Sequence, residues 1–158
     1  MQKFERADFE VKEYVESENY GKFVLSPLER GFGTTIGNAL RRVLLSSLPG
    51  AAVYSIKVDG VYHEFTTIPG VREDVSMIIL QLKQLTMKIE DDEIYTLQIS
   101  AKGPCTVTAG DIICPAQVEV LNKDLEIAHL EAGATLEMEL HAKNGRGYVG
   151  SDVNKQLN

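Results

Sequence analysis

The sequence predicts an α+β fold, built mainly from antiparallel sheets with two helices. Three observations predict it. Short runs of alternating apolar and polar residues recur from Phe9 to Leu140, turn-forming residues separate them, and only two segments carry a helical period. With 44% hydrophobic residues, the 158-residue chain has material for a sizeable core, in one domain or two small ones.

Taken in order, Phe9-Glu10-Val11 with Val15, then Phe23 and Leu25, read as two strands joined around Asn19-Tyr20-Gly21. Tyr54, Ile56 and Val58 alternate as far as Asp59-Gly60, and Val61-Tyr62-His63-Glu64-Phe65 follows. Asp-Gly between alternating runs is the signal for a two-residue type I′ hairpin. Met87–Glu90 and Ile94–Ile99, around Asp91-Asp92, suggest a second hairpin, and Val118–Val120, Leu125–Ile127 and Leu136–Leu140 three further strands. The polar tail from about Gly150 reads as a loop. One predicted helix runs from about Thr35 to Leu48, capped by Thr34 or Thr35 and stopped by Pro49-Gly50. The other runs from about Arg72 to Leu85, with Glu73 and Asp74 at its positive end, Lys83 at its negative end, and an apolar stripe of Val75, Ile78, Ile79 and Leu82.

Composition bounds the function. The net charge is −7, and Arg41-Arg42 is the only adjacent basic pair, so no direct grip on nucleic acid is expected. The longest apolar runs are far too short to span a bilayer, and residues 1–8 lack a secretory h-region, so a cytoplasmic protein with no membrane contact is expected. Cys105 and Cys114 lack redox or zinc spacing and read as reduced, partly buried thiols. Asp91-Asp92-Glu93 reads as a solvated turn, His63, His129 and His141 are scattered, with His63 on a predicted strand, and no nucleophile elbow or phosphate-binding loop is present. No catalytic residue, metal site or cofactor is expected.

The first helix repays a wheel. At about 100° per residue, Ile36, Leu40, Val43, Leu44 and Leu48 share one broad apolar face, suited to a core or a dimer seam. Arg42 and Thr35 fall on the other side with Asn38 and Ser46, and Leu45 lies opposite the apolar centre. An ordinary solvated face with one stray leucine is the plain reading; a protein-binding face is the other, because Arg is enriched at interfaces. Gly31, Gly33 and Gly37 are spaced one residue too widely for a dinucleotide fingerprint. A small anion- or nucleotide-binding protein using the Gly31–Gly37 loop remains the alternative function.

Leu28-Glu29-Arg30-Gly31-Phe32-Gly33-Thr34-Thr35-Ile36-Gly37-Asn38-Ala39-Leu40-Arg41-Arg42-Val43-Leu44-Leu45-Ser46-Ser47 resembles the signature of the bacterial DNA-directed RNA polymerase α-subunit family, in its N-terminal domain. Asp59–Phe65, Pro69–Val75, Thr106–Ile112 and Gly145–Val149 are similar to further stretches of that family, in the same order. The resemblance implies a non-catalytic assembly subunit of a nucleotidyltransferase: a scaffold that dimerises and recruits the β and β′ subunits, with the active site on other subunits. It implies that Thr35, Arg42 and Leu45, together with Lys83, serve β/β′ contact or assembly. It also implies a discontinuous dimerisation subdomain, its first part at residues 1–50, with an inserted, mostly-β subdomain at 51–158. The family chain continues through a returning strand and helix, a linker and a DNA-binding domain. Dimerisation and promoter contact are therefore expected to need segments beyond these 158 residues.

Overall fold

The computed structural model describes residues 6–18 and 20–155. Among them are nine strands and three α-helices, and the chain divides into two compact units, Met1–Ser46 and Ser47–Asn158. The α+β class with antiparallel sheets holds.

The first unit is a hairpin and a helix. Strand β1 (Asp8–Val15) pairs antiparallel with β2 (Tyr20–Ser26), placing Phe9 opposite Leu25 and Val11 opposite Phe23, with a bulge between Val11 and Glu13. A 3₁₀ turn at Glu16–Glu18 begins the connection; Asn19 of the expected turn lies outside the described residues. Helix α1 spans Phe32–Ser46, starting three residues before its predicted start. Gly31, at φ +94°, makes the left-handed step into it, and the Phe32 N–H donates to the Glu29 carbonyl at 3.1 Å. Thr34 and Thr35 are therefore helical rather than caps, and Leu48 lies outside the helix.

The second unit holds the core. Its main sheet has the order β5-β9-β3-β4-β7, comprising β3 (Pro49–Val58), β4 (Met87–Ile89), β5 (Tyr95–Lys102), β7 (Val118–Val120) and β9 (Thr135–Arg146). β6 (Cys105–Thr108) and β8 (Glu126–Leu130) form a smaller antiparallel pair. Alternation puts Leu136, Met138, Leu140 and Ala142 of β9 inward, opposite Ala101, Ile99, Leu97 and Tyr95 of β5. Helix α2 (Val75–Leu82) adds the buried side chains of Val75, Ile78 and Leu82, with Ile79 partly buried against the same cluster.

Several expectations are corrected. Asp59-Gly60 makes a turn, closed by the Val61 N–H on the Val58 carbonyl at 3.2 Å, but no strand follows at Val61–Phe65. β3 pairs instead with β9 along its whole length. His63 is accordingly exposed in a turn, bonded to the Thr66 hydroxyl at 3.0 Å. β4 and β5 form no hairpin: β4 joins β3 and β7, while β5 joins β9. A one-residue bulge between Val53 and Ser55 takes Tyr54 off the side of Ile56 and Val58. Its ring stands 6.2 Å from that of His141, under the Lys143 ammonium at 4.7 Å. α2 begins at Val75, because the Asp74 carboxylate accepts the Met77 N–H at 2.7 Å, and Lys83 is its C-cap. Cys105 is exposed rather than partly buried; Cys114 is half-buried, and burial pushes its thiol pKa up. The tail contains a third short helix, α3 (Ser151–Asn154); residues 156–158 lie outside the described residues.

Candidate functional site

α1 presents the surface that distinguishes this molecule. The helix has no buried residue, although its apolar side chains would fill a core elsewhere. Leu40, Val43, Leu44 and Leu48 are all exposed, and Ile36 is half-buried. Leu45, on the opposite side of the wheel, is 62% exposed against 61% for Leu44. Among the described residues, no side chain of the Ile36-Leu40-Val43-Leu44-Leu48 face is buried, and α1 shows no inward side. The hairpin adds exposed Phe9, Val11, Tyr14 and Phe23 to the apolar surface of the first unit. Scattered apolar side chains are ordinary on a protein surface, but a helix apolar on one side and buried on none exposes a contiguous apolar stripe.

Thr35, Arg42 and Leu45 all lie on α1 and are all exposed. Two helical turns separate Thr35 from Arg42, and Leu45 follows one turn later, so the three form a continuous stripe. The Ser46 hydroxyl donates back to the Arg42 carbonyl, four residues earlier, at 2.6 Å. Among the described residues, no ion pair engages the Arg42 guanidinium. Lys83 is also exposed, but it belongs to the second unit, at the C-cap of α2.

The glycine-loop alternative loses its premise. Gly33 and Gly37 are inside α1, so no loop spans Gly31–Gly37 to cradle an anion. Elsewhere an open groove of about 430 Å³ is bordered by Lys88, Gly110, Cys114 and Glu119. Asp91-Asp92-Glu93 is an exposed bend, in which the Asp91 carboxylate accepts the Glu93 N–H at 3.1 Å and the Asp91 carbonyl accepts the Asn144 side-chain amide at 2.6 Å. The Tyr95 hydroxyl donates to the Asp91 carboxylate at 2.7 Å, which pushes the phenol pKa up to about 12.

One polar cluster escaped the sequence reading. Glu73, expected to serve the α2 dipole, accepts from the His129 backbone N–H and from the His129 ring, both at 2.7 Å. Burial pushes the Glu73 carboxyl up, but the two His129 bonds and the ring's charge outweigh it and hold the carboxyl below its ordinary value. The partners are 56 residues apart, so no local pattern announced them. The cluster fastens the segment entering α2 to β8. Among the described residues, no three His, Cys, Asp or Glu side chains come together as metal ligands.

Comparison with known proteins matches residues 56–158 to the RNA polymerase Rpb3/RpoA insert domain. The chain is 56% identical over 155 residues to the DNA-directed RNA polymerase subunit alpha of Alkaliphilus metalliredigens, covering 98% of this chain and 49% of that protein. It is 60% identical over 140 residues to the subunit of the same name from Oenococcus oeni, covering 89% and 45%. For the Desulforamulus reducens protein the identity is 54% over 156 residues, covering 99% and 50%. The chain thus spans about half the length of the curated relatives it matches.

Proposed function

The chain belongs to the RNA polymerase α-subunit family, and from that premise we propose that it is a non-catalytic assembly subunit of DNA-dependent RNA polymerase. It acts as a scaffold, dimerising and recruiting the β and β′ subunits, while the nucleotidyl transfer takes place on other subunits. Residues 1–50 are the first part of the dimerisation subdomain and 51–158 the insert. The observation that carries this reading is α1, an amphipathic helix with no buried residue. Two of its surfaces need partners. Ile36, Leu40, Val43, Leu44 and Leu48 suit a second copy of the chain, because a self-complementary apolar seam fits a two-fold dimer. Thr35, Arg42 and Leu45 suit β, with Lys83 contributing to assembly from the second unit.

No helix of the described residues is long and apolar enough to cross a membrane. The proposed setting is the cytoplasm, with no direct grip on nucleic acid and no cofactor. Co-purification tests the reading: the protein should retain β, and then β′, from a mixture of subunits. Failure to retain either would overturn it.

A further inference from the structure

A regular strand sends residues three apart to opposite faces of its sheet. β8 departs from this at one point. Val107 and Thr108 of β6 are consecutive, but their partners Ala128 and Glu126 are not, so Ile127 is an extra residue in β8. Ile127 and Ala128 are both buried, and the bulge returns Glu126 and His129 to one side. The His129 ring consequently lies between two carboxylates. Its Nδ1 is 2.7 Å from Glu73 Oε1, and its Nε2 is 3.7 Å from Glu126 Oε2. Glu73 also accepts the His129 backbone N–H at 2.7 Å. Backbone bonds lace the same stretch: the Arg72 N–H donates to the His129 carbonyl at 3.0 Å, and the Glu131 N–H to the Gly70 carbonyl at 2.8 Å.

We propose that His129 is a proton-operated latch: a second proton, taken at Nε2, lets the ring bridge Glu73 and Glu126 and clamps the Gly70–Glu73 segment, the lead into α2, onto β8. The Glu73 carboxyl is held below its ordinary value and is ionised near neutral pH, so it can only accept. Nδ1 therefore carries the proton of the neutral ring, and Nε2 turns a bare lone pair toward Glu126. A second proton replaces that lone pair with a donor and gives the ring a charge that both carboxylates attract. The remaining charged groups leave this balance in place. Asp74 is engaged as the N-cap of α2, and Glu131, two residues beyond His129, is exposed and adds negative charge that favours the proton. Arg72 opposes it, but its side chain is exposed and its charge is screened by solvent. β6 places Thr106 opposite His129 and carries no charged side chain, and α2 carries none either.

Proton linkage gives the sign. A proton that the latched form binds more tightly than the opened form favours the latch, so the clamp tightens as pH falls and loosens as pH rises through the range of imidazole titration. Hydrogen exchange on the intact protein, at pH about 7.5 and about 5.5, reads this through the Arg72 and Glu131 amides. Both values lie above the ordinary carboxylate range, so Glu73 and Glu126 stay ionised. Relative to the amides of β9, the protection of Arg72 and Glu131 should rise by about threefold at the lower pH, the size of a half-exposed ion pair. Glu126→Gln should remove most of that rise, and His129→Gln all of it. Ring-nitrogen spectra at pH about 8 should show Nδ1 as the protonated atom of His129. Equal protection at the two pH values, or a rise that His129→Gln retains, would overturn the latch. So would a rise unchanged by Glu126→Gln, or a neutral ring protonated at Nε2.

Discussion

Leu140→Ala and Leu44→Ala are the same chemical change made in two physical settings. Leu140 is 0% exposed at the centre of β9, opposite the equally buried Leu97 on β5 and the half-buried Ile56 on β3. Strands on both sides leave little room for collapse into the space vacated. The cost should therefore sit in the upper part of the Leu→Ala range, about 4 kcal/mol, combining lost transfer energy with a residual cavity. Leu44 is 61% exposed. Only roughly two-fifths of its surface is out of water, and full burial of a leucine is worth about 2 kcal/mol, so its loss should cost about 0.8 kcal/mol. Urea unfolding at sub-micromolar protein measures both, with self-association suppressed by dilution. Hydrogen exchange assigns each effect to its unit: β5 and β9 amides should be well protected, and those of β1, β2 and α1 should exchange faster. Equal losses in the two variants, or less than about 1 kcal/mol for Leu140→Ala, would refute the placement of the core.

Arg42→Ala should leave the urea midpoint within about 0.5 kcal/mol of the unchanged protein, yet weaken β binding by about 2 kcal/mol in a titration. Glu73 gives stability a pH dependence of definite sign. Its carboxyl is held below its ordinary value in the folded state, so the unfolded chain binds the proton more readily, and stability is lost as pH falls from about 4.5 through the depressed value. Glu73→Gln should remove that component from a pH series of urea midpoints and leave the remaining slope. Gly70 sits at φ +73°, and a Cβ there would stand 2.7 Å from the Ala134 Cβ. Gly70→Ala should therefore cost about 1–3 kcal/mol in the same unfolding assay, from backbone strain together with the clash.

Local chemistry accounts for most of what was legible in the residues alone. Alternation announced β5, β7 and the Leu136–Leu140 part of β9, because one face of each meets the core and the other meets water. The apolar spacing of Val75, Ile78 and Leu82 located α2 and its buried side. Gly31, Arg42 and their neighbours carried the family resemblance, which comparison with curated α subunits now supports along nearly the whole chain. Partner choice is another matter, since a strand's pattern states which side is apolar and not which strand lies beside it. β3 took β9 across some 80 residues of chain instead of folding back at Asp59-Gly60, and β4 and β5 joined different neighbours for the same reason. Helix α1 shows the other limit. Its periodicity is that of a helix with a covered face, but periodicity records only that something apolar must meet Leu40 and Leu44. The tertiary structure adds that, among the described residues, the buried cluster lies from Val58 onward and includes no side chain of α1, because the second unit closes its core with its own strands and with α2.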